Sequence, residues 1–239
     1  MIVLGIESSC DETAVAIVKD RKEVLSSVVA SQIDVHKEFG GVVPEVASRI
    51  HVENISFLIE DALKKANCTM DDIDAVAVTK GPGLIGCLHV GVQAAKTLAF
   101  AFNKPLVPVH HIAGHIYANE LVVDMKYPVL ALVVSGGHSQ LIYMKDETSF
   151  EVLGTTQDDA IGEAFDKVAR VMDLGYPGGP KIDKLAKEGQ NVYALPKPKT
   201  QGKYDFSFSG LKSGVLQFTK RMERQGKTYN DADLACSFQ

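Results

Sequence analysis

The stretch PVLALVVSGGHSQLIYM, residues 128–144, consists of two apolar runs joined by a tight turn that contains two glycines. Runs rich in β-branched residues on either side of such a turn predict the two strands of a hairpin, and a third strand is predicted over 150–156. The same succession opens the chain: strands predicted over 3–6 and 14–18 flank the polar turn ESSCDET, and a third follows over 23–30. The chain is therefore predicted to contain a structural duplication, although the two turns share few residues.

Helices alternate with further strands outside the two hairpins, which predicts an α/β fold. Apolar residues recur at helical spacing over 44–66, with Pro44 suited to the first turn. The strand DAVAVTKG runs into a turn of glycine and proline, and an apolar helix follows over 84–102. The remaining predicted elements are a strand over 106–109, helices over 112–120, 161–172, 182–188 and 210–224, an exposed loop over 191–204, and a helix that begins at Asp231. Because the sequence stops inside that last helix, we expect it to be a truncated form.

The composition argues against several classes of protein. The formal net charge is −5, so the overall field does not suit a protein that coats nucleic acid, and any RNA contact must be local. Four cysteines are scattered without a CxxC pair, which is typical of a reducing cytoplasm. The N-terminus has no basic leader, and no apolar run reaches membrane-spanning length. We therefore expect a cytoplasmic protein that does not bind a membrane.

The sequence HHIAGH contains the candidate metal ligands. His111 and His115 lie one helical turn apart on a predicted helix, so both imidazoles can converge on one metal ion. The alternative is that the two histidines only cap or pack the start of the helix, because a bare HxxxH is a weak motif. His36, His51 and His89 have no neighbours at metal-ligand spacing and are interpreted as structural or surface residues.

The two hairpin turns are candidates for binding and chemistry. In SGGH, Gly136 and Gly137 are expected to take backbone conformations that other residues avoid, and Ser135 adds a hydroxyl donor. Such a turn can hold a phosphate, although an ordinary hairpin turn is the alternative. Asp11 and Glu12 form a pair of carboxylates in the first turn, where they can take a proton or remain solvated.

Further candidates lie in the second half of the chain. The strings GEAFDKVAR and YPGGPKID place Asp166 and Asp183 near helix starts, where they can accept hydrogen bonds from ribose hydroxyls or act only as caps. Two basic segments, KPKTQGK at 197–203 and KRMERQGK at 220–227, can contact a phosphate backbone or be solvated faces. The chain contains neither GxGxxG nor GxxxxGK[ST], so neither a Rossmann nor a P-loop site is predicted.

Eight separated strings of the sequence occur in a fixed order. They are GIESSCDET, GGVVPEVASRIHVENI, TKGPGLIGCLHVG, HHIAGHIYAN, VVSGGHSQL, GEAFDKVAR, YPGGPKIDKLA and FSFSGLKSGV. Together they closely resemble the family of bacterial tRNA N6-adenosine threonylcarbamoyltransferases, and the resemblance covers nearly the whole chain. Eight ordered motifs coincide by chance far less often than one motif does.

The resemblance implies a fold and an activity. The family has the duplicated α/β fold of actin, hexokinase and Hsp70 (ASKHA), so we expect an N-terminal lobe over 1–105 and an incomplete C-terminal lobe over 106–239, with a cleft between them. The implied reaction transfers the threonylcarbamoyl group of L-threonylcarbamoyladenylate to N6 of adenosine 37. The substrates are tRNAs that read codons beginning with A. The implied partners are tRNA, a paralogous subunit of the same fold and a small ATPase, with a homodimer as a further possibility.

The resemblance also assigns roles to residues. His111 and His115 match the ligands of one divalent metal ion, iron or zinc. The adenylate-binding loop and the further nucleotide contacts match Val133, Val134, Ser135, Gly136, Gly137, Asp166, Gly179 and Asp183. Asp11 or Glu12 is a candidate to take the proton of the adenine amine. The family's asparagine contact and aspartate metal ligand lie beyond Gln239, so we expect this fragment to bind metal weakly and to have little transferase activity.

Three other functions are alternatives. A non-catalytic paralogous subunit of the same modification complex would be of similar length, but that paralogue lacks the histidine pair. A metalloprotease of the HExxH type needs a glutamate base where this chain has Ile112. A sugar kinase or another ATPase is compatible with the fold, although a fold does not determine a function.

Overall fold

The computed structural model describes residues 1–239, which form two compact units, 1–125 and 126–239. The first unit contains a five-stranded mixed sheet with the order β3-β2-β1-β4-β5. Its strands are β1 (Ile2–Glu7), β2 (Glu12–Lys19), β3 (Glu23–Ser31), β4 (Ala75–Gly81) and β5 (Leu106–His110). Because β1, β4 and β5 are parallel neighbours, their carboxyl ends lie at one edge of the sheet.

Four helices accompany this sheet, and the two longest of them cover its apolar side chains. They are α1 (Ile33–Phe39), α2 (Pro44–Ala66), α3 (Ile85–Ala101) and α4 (His111–Tyr117), which continues as a short 3-10 helix (Ala118–Leu121). Alternate residues of β1, such as Leu4 and Ile6, pack in a core with Ile55 and Ala62 of α2. The sequence did not predict α1, because seven residues with a single buried side chain, His36, show no helical period.

The second unit combines a three-stranded sheet with four helices. The strands β6 (Val129–Val134), β7 (Ser139–Met144) and β8 (Glu151–Thr155) are antiparallel in the order β6-β7-β8. The helices are α5 (Ile161–Val171), α6 (Gly178–Ala186), α7 (Ser209–Arg224) and α8 (Asp231–Phe238). These four helices contribute Val168, Ile182, Val215 and Leu234 to a second apolar core.

The predicted duplication of the hairpins is confirmed. In each unit three consecutive antiparallel strands follow one another, β1–β2–β3 and β6–β7–β8, and each first pair is joined by a short turn. The contacts divide the chain after Met125 instead of after residue 105, because β5 pairs with β4 and therefore belongs to the first sheet. None of the helices combines the length and the apolar character that crossing a bilayer requires.

Candidate functional site

The carboxyl ends of β1 and β4 hold a polar cluster in the first unit. Glu7 ends β1, and its Oε2 accepts a hydrogen bond from Thr79 Oγ1 of β4 at 2.7 Å. The same oxygen is 3.1 Å from Nδ1 of His111, the first residue of α4. The other carboxylate oxygen accepts the backbone N–H of Ser9. The parallel order β1-β4-β5 therefore brings together residues that are about a hundred positions apart in the chain.

The two histidines of HHIAGH face each other. The Nε2 atoms of His111 and His115 are 3.1 Å apart, and the ring planes meet at 83°. Two imidazole ligands at about 2.0–2.1 Å from one ion, at a tetrahedral angle, place their nitrogens about 3.3 Å apart. The observed separation therefore fits two ligands of a single zinc or iron ion. Burial lowers the pKa of His115, and the neighbouring imidazole lowers it further, which favours the neutral form that metals bind.

Glu7 determines which nitrogen of His111 is available. A carboxylate can only accept, so Nδ1 of His111 donates to Glu7 and Nε2 keeps its lone pair toward His115. Burial raises the pKa of Glu7, but hydrogen bonds from His111, Ser9 and Thr79 outweigh it and hold the value at about 2. Glu7 is therefore ionised and acts as the outer partner of a carboxylate–histidine pair, an arrangement that orients metal-bound imidazoles.

Of the two predicted catalytic carboxylates, Asp11 lies in the β1–β2 turn and Glu12 is the first residue of β2, because pairing with β3 begins at Glu12. A buried histidine holds this part of the chain. His51 donates from Nε2 to the carbonyl of Cys10 at 2.9 Å, and its Nδ1 accepts from Thr13 Oγ1 at 2.6 Å. Between these two anchors, Asp11 is half-buried and Glu12 is exposed. The side chains that contact His111 are those of Glu7 and Ser9. Asp11 and Glu12 follow these residues in the chain but do not take part in that hydrogen-bond network.

The SGGH turn of the second unit rests on the start of α5. Gly162 donates its N–H to the carbonyl of Ser135 at 3.2 Å, and a Cβ at Gly162 would lie 2.8 Å from the Cα of Gly136. Gly136 and Gly137 can take conformations closed to other residues, but neither has a φ in the left-handed region here. A Cβ at either position would meet no protein atom within 4 Å. Their small size instead leaves the backbone of the turn open to a ligand.

The start of α6 lies against α5 close to the predicted nucleotide contacts. The N–H of Gly178 donates to Asp166 Oδ1 at 2.7 Å, and a Cβ at Gly178 would lie 2.7 Å from the Cα of that aspartate. Burial raises the pKa of Asp166, and the hydrogen bond from Gly178 opposes the rise. A Cβ at Gly179 would meet no atom within 4 Å. One turn later, Asp183 pairs with Lys187 at 2.7 Å.

The second unit therefore gathers the residues predicted to bind the adenylate. Val133 and Val134 end β6 immediately before the SGGH turn, and the first is buried while the second is exposed. Close approaches at Gly162 and Gly178 join the turn, α5 and α6 into one cluster. Backbone N–H groups of the turn, open glycines and two aspartates are a combination that suits a phosphate and a ribose.

Sequence reasoning missed the residues that support the histidine pair. Glu7, Ser9 and Thr79 were not predicted as site residues, although all three contact the network around His111 directly or through one hydrogen bond. The available signal was the position of Glu7, a carboxylate at the end of an otherwise apolar strand. A charged residue that is partly buried at a strand end needs partners, and those partners are distant in sequence.

Comparisons with known proteins agree with the resemblance. The family described as tRNA N6-adenosine threonylcarbamoyltransferase matches residues 23–239. Proteins of that name from Bacillus subtilis (strain 168) and Staphylococcus saprophyticus are 62% and 59% identical to this chain. Each alignment covers 100% of this chain, and the chain spans 69% and 70% of the two relatives.

Solved structures support the fold class. The activator of 2-hydroxyisocaproyl-CoA dehydratase from Clostridium difficile, with bound ADPNP, matches 100% of this chain and 70% of its own with a TM-score of 0.53 at 11% identity. Component A of the (R)-2-hydroxyglutaryl-CoA dehydratase of Acidaminococcus fermentans gives 0.52 at 14% identity, covering 100% of this chain and 73% of its own. At these identities the likeness concerns the fold alone, the duplicated α/β architecture of the ASKHA class.

Proposed function

Because this chain belongs to the family of tRNA N6-adenosine threonylcarbamoyltransferases, we propose that it supplies metal-binding and adenylate-binding residues for the transfer of the threonylcarbamoyl group from L-threonylcarbamoyladenylate to adenosine 37 of tRNAs that read codons beginning with A, while the chain by itself has little transferase activity. The family forms threonylcarbamoyladenosine in tRNA. The observation that carries the proposal for this chain is the histidine pair with its Glu7 support, which lies in a sequence 62% identical to a named transferase.

The chemistry requires an activated donor. The exocyclic amine of adenine is a weak nucleophile because its lone pair is delocalised into the ring. A mixed anhydride with AMP supplies a good leaving group, and the amine must lose a proton as the new bond to carbon forms. Asp11 or Glu12 takes that proton in this proposal, because the buried His51 holds their turn beside the residues that contact His111.

The adenylate is assigned to the second unit. The turn Ser135–Gly136–Gly137 receives the phosphate, supported by the absence of any side-chain obstacle over its two glycines. Val133 and Val134 lead into that turn. Asp166, Gly179 and Asp183 contact the nucleoside, and the open position at Gly179 lets a ligand approach the start of α6.

A divalent ion, iron or zinc, is assigned to His111 and His115. Both Nε2 atoms point to one place at a separation that suits two ligands of one ion, and Glu7 holds the correct tautomer of His111. When bound, such an ion stabilises negative charge on carbonyl or phosphate oxygens. In this proposal Glu7 orients the imidazole of His111, and burial favours the neutral form of His115.

The partners and the compartment follow from the same assignment. We propose tRNA as substrate, with a paralogous subunit of the same fold and a small ATPase as protein partners, and with a homodimer as an alternative assembly. A cytoplasmic location is supported by four free cysteines, which are typical of a reducing compartment.

The test of this function is a chimera. The 240 matched residues of the Bacillus subtilis relative are replaced by this chain, and the incorporation of labelled threonine from L-threonylcarbamoyladenylate into tRNA is measured. We expect the chimera to modify tRNA at a rate comparable with that of the relative, and the same chimera with His111→Ala to be at least tenfold slower. A folded chimera without activity, beside an active relative, would contradict the proposal.

A further inference from the structure

The basic residues of the second unit are concentrated in one part of the chain. Residues 189–229 contain eight lysines and arginines and only two acidic residues, although the whole chain has a net charge of −5. The eight are Lys197, Lys199, Lys203, Lys212, Lys220, Arg221, Arg224 and Lys227. Seven of them are exposed and Lys212 is half-buried. The segment is therefore a strong local departure from the acidic character of the protein.

These cations have no acidic partners within the protein. Elsewhere in the second unit Lys167 pairs with Asp159 and Glu163, and Lys187 pairs with Asp183. None of the eight basic residues of 189–229 forms an ion pair. Asp205 lies among them, but its carboxylate accepts hydrogen bonds from Thr155 and Gln157 of the neighbouring strand segment. Eight positive charges without acidic partners give this segment a local attraction for anions.

The fold brings the two basic segments onto one side of α7. Pro196 and Pro198 pack on Gly214 and Gly210: a Cβ at Gly214 would lie 2.6 Å from Pro196 Cγ, and one at Gly210 3.4 Å from Pro198 Cγ. Lys197 and Lys199 alternate with these prolines, so the loop holds them along the first half of the helix.

The second half of α7 carries two further basic residues on the same side of the helix. Arg221 is seven residues after Gly214, close to two full turns, so it projects from the flank on which the proline loop lies. Arg224 follows three residues later and is exposed. At a rise of about 1.5 Å per residue, the distance from Gly210 to Arg224 along the helix is about 20 Å. Lys197, Lys199, Arg221 and Arg224 together are called the α7 basic surface.

We propose that the α7 basic surface binds the phosphate backbone of the substrate tRNA. This inference rests on the proposed function, which supplies a polyanionic substrate. A helical stretch of nucleic acid about 20 Å long presents roughly a dozen phosphates, so four cations spread over that length can contact about a third of them. Contacts of such cations with phosphates position a nucleic acid on the protein.

The test is the salt dependence of tRNA binding by the 239-residue chain, measured by fluorescence anisotropy with an end-labelled tRNA. Two double variants remove parts of the surface, Lys197→Gln with Lys199→Gln and Arg221→Gln with Arg224→Gln. Lys64→Gln with Lys96→Gln is the matched control, because both lysines are exposed on helices of the first unit and have no ion pair. Melting temperatures of all variants are compared with that of the wild type.

The proposal gives a quantitative expectation. Each phosphate contact contributes roughly one to the slope of log Kd against log salt, so each double variant should lower that slope by about two and weaken binding at 0.1 M salt by about tenfold or more. The control should change neither value. If the wild type binds tRNA and both double variants keep its salt-dependence slope, the α7 basic surface is not the binding site, and the proposed function is unaffected. Failure of the wild type to bind tRNA at all would count against both.

Discussion

At the scale of single residues, Glu7 connects the end of β1 to the histidine pair. Its two oxygens serve three donors, the N–H of Ser9, the hydroxyl of Thr79 and Nδ1 of His111. A carboxylate can accept from all three at once, whereas a carboxamide has one accepting oxygen and a nitrogen that only donates. The residue therefore couples the end of the central strand to the orientation of the histidine pair.

Glu7→Gln should weaken divalent-metal binding by the chain about 10- to 100-fold, because one of the three donors loses its acceptor and His111 loses a fixed tautomer. The measurement is a competition titration with Zn²⁺ and a chromophoric chelator. Glu12→Gln is the control, since this exposed carboxylate lies outside the network and should leave the affinity unchanged. Equal affinities for wild type and Glu7→Gln would refute the supporting role.

Alanine substitutions at Gly137 and at Gly162 should affect different properties, the first ligand binding and the second stability. Gly137→Ala should leave the melting temperature nearly unchanged, because its Cβ meets no protein atom, but should weaken binding of a non-hydrolysable adenylate analogue. Gly162→Ala should cost about 1–3 kcal/mol of folding free energy, because its Cβ would lie 2.8 Å from the backbone of Gly136. Thermal denaturation and calorimetric titration measure the two effects. A destabilised Gly137→Ala beside a stable Gly162→Ala would contradict this assignment.

At the scale of elements, the start of α7 is held by a residue far away in sequence. Asp158 accepts hydrogen bonds from the N–H groups of Phe208 and Ser209 and from the hydroxyls of Ser207 and Ser209. Burial raises the pKa of Asp158, but these four donors outweigh it and hold the value at about 2. The carboxylate caps the helix that carries half of the α7 basic surface.

Asp158→Ala should lower the free energy of unfolding by about 1–2 kcal/mol, the usual cost of losing a helix cap. Because the folded pKa lies below the unfolded value of about 3.9, the contribution is present above pH 4 and is lost as the pH falls toward 2. Urea denaturation of wild type and variant should therefore differ at pH 7 and converge at low pH. Glu223→Ala, an exposed residue of α7 without an ion pair, should match the wild type throughout.

The sequence predicted the elements that have a clear period and missed what depends on distant contacts. Strands β1 to β8 and the long helix α2 follow from alternation and helical spacing. The predicted helix over 182–188 begins earlier, at Gly178, because Asp166 of the preceding helix accepts its N–H. The same limit applies to the site: spacing identified His111 and His115, but not the glutamate a hundred residues earlier that orients one of them.

At the scale of the whole molecule, the chain consists of two units with separate cores and separate ligand chemistry. The first unit contains the histidine pair together with the residues that hold it, and the second contains the glycine turn and the two aspartates. The structural boundary after Met125 assigns β5 and α4 to the first unit, and β5 pairs with β4 in its sheet. His111 and His115, the proposed metal ligands, therefore belong to the same compact unit as Glu7.

This division predicts the behaviour of fragments. A fragment of residues 1–125 should fold and bind Zn²⁺ with the affinity of the whole chain, because it contains the ligands, Glu7 and the complete five-stranded sheet. A fragment of residues 1–105 lacks strand β5 and both histidines, so it should be less stable and should not bind the ion. Circular dichroism and zinc titration compare the two. Equal zinc binding by both fragments would contradict the assigned ligands.

The measurement that tests the account most directly is a zinc titration of the 239-residue chain beside its His115→Ala variant, with the metal content of each determined at saturation. Because two imidazoles alone hold an ion weakly, we expect the wild type to reach one ion per chain only at high zinc concentration. At that concentration we expect none in the variant, with unchanged melting temperatures in the absence of metal. An unchanged stoichiometry and affinity in His115→Ala would contradict it, because the facing imidazoles of HHIAGH would then not be the ligands.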